Sequence, residues 1–195
     1  MLGLNDAVIF IIKTLGSLYL LIVLMRFILQ VVRANFYNPL CQFVVKATQP
    51  LLKPLRRIVP SMFGLDMSSL VLAFLLQLAL FAVVVVLKGS RPDTVLMVPW
   101  ALIGILSLFL KILFWSMIIS VILSWVAPDS RSPGAELVKQ ITEPVLAPFR
   151  RWVPNLGGLD ISPIFAFIAL QLLQIWVIPY LAEFTGMPPL LYSLI

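Results

Sequence analysis

The sequence predicts an all-α membrane protein: four transmembrane helices arranged as two parallel two-helix repeats, each with a cytoplasmic amphipathic helix and a bent proline-arginine motif. Three observations carry that prediction. Of 195 residues, 62% are hydrophobic and 11% charged, far from the roughly 45–50% apolar and about 25% charged of ordinary soluble domains. Four apolar stretches have the approximately 20 residues needed to cross a hydrocarbon core about 30 Å thick. Finally, the chain repeats itself: TQPLLKPLRRIVPSMFGLDMS, Thr48 to Ser68, returns as TEPVLAPFRRWVPNLGGLDIS at Thr142 to Ser162, offset by 94 and identical at 12 of 21 positions.

The first span is expected over about residues 7–32, where Lys13, Arg26 and a few small polar residues interrupt the apolar run. The opening MLGLNDAVIFII has no basic n-region and no small-residue cleavage site, and its apolar run outlasts a signal-peptide core of roughly 7–15 residues. It is expected to remain as a span, closed by Arg33. Asn38-Pro39 then starts a segment, to about Ala47, with Leu40, Phe43, Val44 and Ala47 at i, i+3, i+4 and i+7, the pattern of an amphipathic helix lying on the membrane surface. Pro50, Pro54 and Pro60 each lack a donor and restrict the preceding residue. They predict a bent interfacial or re-entrant element instead of a long helix from Thr48 to Pro60. Such broken backbone persists at membrane depth only where protein buries it or water reaches it.

The second span is expected over about residues 68–87. After the polar turn Lys88 to Asp93, a largely apolar stretch of 33 residues with Lys111 inside it runs from Thr94 to Val126, about 50 Å of helix against a core of about 30 Å. The offset pairs Ala7 with Ala101, so the third span is expected over about residues 100–126, with Thr94 to Pro99 as an interfacial lead-in and Trp100 in the aromatic belt. Ser132-Pro133 stands where Asn38-Pro39 stood. A second surface helix is expected at about Gly134 to Ile141, and the fourth span at about residues 162–181. The tail GMPPLLYSLI is too short to cross, is interrupted by Pro188 and Pro189, and matches the lead-in of span three. The repeats therefore divide at residues 1–93 and 94–195. An even number of spans per repeat keeps them parallel, about an axis along the membrane normal.

Orientation follows from charge. Nine of the fourteen basic residues flank the two motifs: Arg33, Lys46, Lys53, Arg56 and Arg57, then Arg131, Lys139, Arg150 and Arg151. The positive-inside rule puts both motifs in the cytoplasm and both termini on the other side, periplasmic in a bacterium. The net charge of +6 is explained by the same bias, and no nucleic-acid partner is expected.

The chain has one cysteine, Cys41, and no histidine, which removes an intramolecular disulfide, histidine metal sites and Ser/His/Asp catalysis. No phosphate-binding glycine loop, HExxH or GxSxG occurs. No catalytic, cofactor or metal residue is expected, and the chain reads as a non-enzyme. Candidate functional residues are instead the motif's Arg56, Arg57, Asp66 and Ser68, with Arg150, Arg151, Asp160 and Ser162. One account makes the aspartates helix caps, turn residues or partners of the arginines, with Ser162 before Pro163 as an N-cap. The other makes arginines and aspartates a twofold-related cluster that binds lipid head groups or ions. Within the spans, Lys13 and Arg26 are placed to snorkel. Lys111 lies deeper, either snorkelling or serving transport, and Gln77 and Gln171 are expected to tie helices together.

At the doubled TxPxLxPxRRxVP with GLDxS the chain resembles the YggT family (YggT/YlmG-like) of bacterial and plastid membrane proteins, over nearly its whole length. Ser69 departs from the proline found at Pro163. The resemblance implies a small inner-membrane protein linked to osmotic or salt stress and potassium handling. Plastid and cyanobacterial relatives are linked to cytochrome assembly, nucleoid distribution and division. It carries over no catalytic residue. Two functions follow: ion homeostasis, by conduction or by modulating a transporter, or a scaffold that holds a membrane protein partner, a second copy or anionic lipid on its basic cytoplasmic surface. Conduction requires Lys111, the glutamines and the motif aspartates to share one cavity.

Overall fold

A computed structural model of the protein describes residues 4–62, 64–128, 130–152 and 160–195. In chain order the helices are α1 (Leu4–Val31), α2 (Pro39–Leu55), α3 (Met67–Leu87), α4 (Thr94–Val126), α5 (Pro133–Trp152), α6 (Ser162–Leu172), a π-helical turn (Leu173–Val177), α7 (Ile178–Phe184) and α8 (Pro189–Tyr192). Four stretches are long and apolar enough to cross a membrane: Asp6–Val31, Met67–Leu87, Val95–Val126 and Ser162–Phe184. Phe10, Leu15, Leu102, Trp115, Ile122, Ile168 and Trp176 point outward from them, as side chains facing lipid tails do. This is a multi-pass membrane protein.

The same contacts recur in both halves. α1 packs on α2 and α3, α4 packs on α5 and on α6 to α7, and α3 against α4 joins the halves. An ion pair between Lys88 and Asp6, 2.8 Å, ties the end of α3 to the start of α1. At the other end Asn38 Nδ2 donates to the Pro133 carbonyl at 2.7 Å, and the Asn35 N–H to Gln140 Oε1 at 3.1 Å. These bonds join α2 to α5 and put both motifs at one end of the bundle.

α2 and α5 are amphipathic, but longer than the sequence predicts. α2 buries Cys41, Val44, Thr48 and Leu52; α5 buries Ala135, Leu137, Ile141, Thr142 and Leu146. Each runs through two prolines, Pro50 and Pro54, then Pro144 and Pro148. The i, i+4 spacing explains why the helix survives: both missing donors in α2 fall on the exposed face, along Lys46, Pro50 and Pro54, where water or head groups can serve the freed carbonyls. On the inner face Thr48 Oγ1 donates to the Val44 carbonyl at 2.7 Å, and Thr142 Oγ1 to that of Val138 at 3.0 Å. The bend therefore lies after α2, in residues 56–66, where Gly64 takes φ +75° and Met62 and Leu65 form an isolated bridge. The corresponding Val153, Pro154, Gly158 and Leu159 lie outside the described residues.

The expected break before Trp100 is also absent, and α4 is continuous from Thr94. Asp93 Oδ1 caps it by accepting the Val95 and Leu96 N–H groups at 3.1 and 3.4 Å. Met97 and Trp100 are buried with Phe81, Ala182, Met187 and Leu191, and Trp100 Nε1 donates to the Thr185 carbonyl at 3.1 Å. That packing keeps the lead-in helical. In the fourth span Pro179 has no N–H for the Ile175 carbonyl. The preceding turn widens to π geometry, with the Ile178 N–H bonded to the Leu173 carbonyl, which relieves the proline clash. The tail folds back into the bundle: Leu191 is fully buried, and the Ile195 carbonyl accepts Ser107 Oγ at 3.3 Å and Lys111 Nζ.

Candidate functional site

The motif-bearing end is built twice. In the first repeat, Arg56 follows the last turn of α2 and Asp66 precedes α3, so the chain between them closes as a loop pinned by one ion pair. Arg56 Nε donates to Asp66 Oδ2 at 2.8 Å, and Nη2 binds the same oxygen. Asp66 is buried. Its backbone N–H donates to Gln30 Oε1 at 2.9 Å, and Gln30 Nε2 donates to the Gly64 carbonyl at 3.2 Å. Ser68 Oγ, also buried, donates to the Val59 carbonyl at 3.2 Å. The guanidinium of Arg26, only 6% exposed, donates to the Val45 carbonyl at 3.1 Å and to Thr48 Oγ1 at 2.7 Å. It does not snorkel: a buried guanidinium needs acceptors, and the motif threonine and the helix backbone supply them.

The second repeat repeats the pair but not its surroundings. Arg150 Nε donates to Asp160 Oδ2 at 2.9 Å, and Nη1 donates to both Glu143 oxygens at 2.8 Å. Asp160 Oδ1 accepts the Ser162 N–H at 2.9 Å. Asp160 thereby satisfies the first N–H of α6, in keeping with the capping alternative for the aspartates, whereas Ser162 is the first residue of α6 and not its N-cap. Burial pushes the Asp160 carboxyl up, but its contacts with Ser162 and Arg150 outweigh this and hold it below the usual carboxylate range. Burial works against the Arg150 charge, yet Asp160 and Glu143 raise its pKa further above the ordinary arginine value. Arg57 and Arg151 are exposed. Cys41 is buried on the inner face of α2, where desolvation and then Glu136 push its thiol up.

Among the described residues, no ion pair crosses from one motif to the other. The arginines and aspartates form two separate pairs, not one shared cluster. Of the intramembrane candidates, Lys111 and Gln77 both border the tail at Ile195, apart from the motif aspartates. Lys111 reaches the Ile195 carbonyl, and Lys13 donates to the Ser193 carbonyl at 2.6 Å. Gln77 is 2% exposed, packed where a side chain at Gly104 would stand. Gln171 is exposed, so the two sequence-equivalent glutamines have opposite environments: α3 packs on α1 and also on α4 of the other repeat, whereas α6 packs on α4 and α5 of its own repeat and leaves Gln171 outward. The helix-tying residue of the fourth span is Gln174, whose Nε2 donates to the Ser107 carbonyl at 3.3 Å. Its spacing of three from Gln171 is the only signal the sequence held for it.

In front of Arg150 and Asp160 lies a cavity of about 330 Å³, lined on the α4 side by Met117, Ser120, Val121, Ser124 and Trp125. No such space was legible in the sequence, because it depends on which α4 side chains face α5.

A family model described as CCB3/YggT matches residues 5–87 and again 99–181, with the same offset that the motif shows. The chain is 61% identical over 190 residues to an uncharacterized protein of Pseudomonas aeruginosa, covering 96% of each. It is 44% identical over 165 residues to an uncharacterized protein of Vibrio alginolyticus, covering 83% of this chain and 88% of that one. The uncharacterized protein YggT of Escherichia coli K12 is 37% identical over 175 residues, 86% of this chain and 87% of its own. No solved structure matches. With both repeats matched and relatives aligned nearly end to end, the chain belongs to the CCB3/YggT family.

Proposed function

We propose that this protein is a non-catalytic, non-conducting helper of the bacterial inner membrane, which supports ion homeostasis under osmotic stress by holding a membrane protein partner or anionic lipid on its basic motif end. The observation that carries this is the engagement of the charges inside the bundle. Arg26 is bonded to α2, and Lys13 and Lys111 to the tail, while Asp66 and Asp160 pair with arginines of their own motifs. A conduction path needs polar groups facing one continuous cavity; these groups are instead engaged by α2, the tail, Arg56 and Arg150. The exposed Arg57 and Arg151 remain available to phosphate or carboxylate groups.

Purified protein in proteoliposomes should show no ion flux above protein-free vesicles, and the double variant Asp66→Asn/Asp160→Asn should behave the same. A reproducible flux that the double variant abolishes would overturn the helper role in favour of conduction. Sidedness is tested by a reporter inserted in the turn at residues 88–93, expected on the periplasmic side by the positive-inside rule.

A further inference from the structure

The two repeats differ most where they ought to match. At offset 94 the cavity-lining Ser120 and Ser124 of α4 are the counterparts of Arg26 and Gln30 of α1. In the first repeat those long side chains fill the space in front of the Arg56–Asp66 pair, through bonds to Val45, Thr48, Gly64 and Asp66. In the second repeat Ser120 and Ser124 fall short of the motif, and Ser124 Oγ instead donates to the Val121 carbonyl of its own helix at 2.7 Å. The cavity of about 330 Å³ occupies the space, within the usual size range of small-ligand pockets.

The charges differ in the opposite sense. The first repeat pairs Arg56 with Asp66 and holds a second guanidinium, Arg26, on Val45, Thr48 and, at 3.5 Å, neutral Gln49. In the second, Gln49 becomes Glu143, so one guanidinium, Arg150, stands between two carboxylates. Thr142, the counterpart of Thr48, keeps its buried place one turn before Leu146, with its hydroxyl hydrogen directed to its own helix as in Thr48. The last turn of α4, at Ser124 and Trp125, adds the negative end of a helix dipole. The second repeat thus lacks a tethered cation, gains a negative charge and opens a cavity, while Met117, Val121, Leu146, Ile164 and Phe167 make the rest of the wall apolar.

We propose that this cavity binds an organic cation carrying N–H donors, a guanidinium or ammonium group with an apolar portion, which takes in the second repeat the place that the Arg26 side chain takes in the first. The inference is independent of partner binding by the exposed arginines. The cation has two possible sources, a soluble amine or the ammonium head group of an aminophospholipid, and the chemistry recognised is the same for both.

The test uses full-length protein in phosphatidylcholine nanodiscs, whose choline groups carry no N–H donor, titrated with n-butylguanidinium and followed by tryptophan fluorescence, since Trp125 lines the cavity. Wild type should respond saturably. Ser120→Arg, which installs the first repeat's own arginine, should abolish the response while melting at or above the wild-type temperature. Glu143→Gln, at an exposed position, should fold normally and weaken binding about fivefold. Absence of a saturable wild-type response, or an unchanged response in folded Ser120→Arg, overturns the proposal. Should Ser120→Arg not fold, an unchanged affinity in Glu143→Gln overturns it instead. Nanodiscs with half their lipid replaced by phosphatidylethanolamine identify the source: a several-fold loss of apparent affinity assigns the site to the lipid ammonium, and no loss assigns it to a soluble cation.

Discussion

Asp66 and Asp160 occupy the same place in the motif, yet their replacement by Asn should have unequal costs. The Asp66 side chain is 11% exposed and takes two donors of Arg56, its sole partner residue in the pair. Asp160 is 39% exposed, and its arginine is held independently by Glu143. Removing one partner of a fully buried ion pair costs about 3–5 kcal/mol. Arg56 is 43% exposed, so water offsets part of the loss, leaving about 1.5–3 kcal/mol for Asp66→Asn. For the more exposed pair the expected cost is about 0–1 kcal/mol, and Asn at position 160 can still accept the Ser162 N–H. At about 2–4 °C per kcal/mol for a chain of this size, Asp66→Asn should lower the melting midpoint by roughly 3–12 °C and Asp160→Asn by less than about 4 °C. Thermal unfolding of both variants, purified in one detergent, measures this. Equal shifts, or a larger one for Asp160→Asn, would refute the view that burial sets the strength of these pairs.

The remaining predictions concern the tail, one tight contact and pH. Lys111→Met removes the donor to the Ile195 main-chain oxygen and should leave residues 193–195 several-fold less protected from hydrogen exchange, measured by mass spectrometry, with little change in melting. Gly104→Ala places a Cβ 3.0 Å from both Gln77 Cδ and Ile195 Cγ2, an overpacking expected to cost about 1–3 kcal/mol; the melting midpoint reports it. The folded-state pKa of Asp160 is depressed, so its stabilising contribution is present above the unfolded carboxylate value near 4 and lost as pH falls through the lower folded value. Asp160→Asn should accordingly flatten the acid limb of a melting-versus-pH curve, and an unchanged limb would contradict the assignment.

The repeat, the four spans and the amphipathic faces of α2 and α5 were legible because each is written in periodicity or identity. Identity did not transfer to environment. Gln77 and Gln171 match in the alignment, but one faces a helix sandwich and the other faces outward. Arg26 lies near the end of a span and looked free to snorkel; its acceptor, Thr48, is 22 residues away on another helix. The prolines were misjudged because single-residue rules treat each as a break, whereas Pro50 and Pro54 at i, i+4 put both missing bonds on the outer face. The arginine-aspartate pairing within each motif was among the alternatives the sequence offered. The cavity beside Arg150 was not, since it arises from what Ser120 and Ser124 fail to fill.

The fold-back of the tail has a practical consequence for anyone handling this protein. Ile195 sits beside Gly104, Ser107 and Lys111, well inside the longest apolar helix. A bulky group carried by Ile195 would collide with α4 at Gly104 and Ser107, and would have to displace the packed segment that ends α8. Attachment in the turn at residues 88–93 avoids that displacement, and a bulky label at Ile195 becomes useful chiefly as a deliberate way to pry the segment from α4.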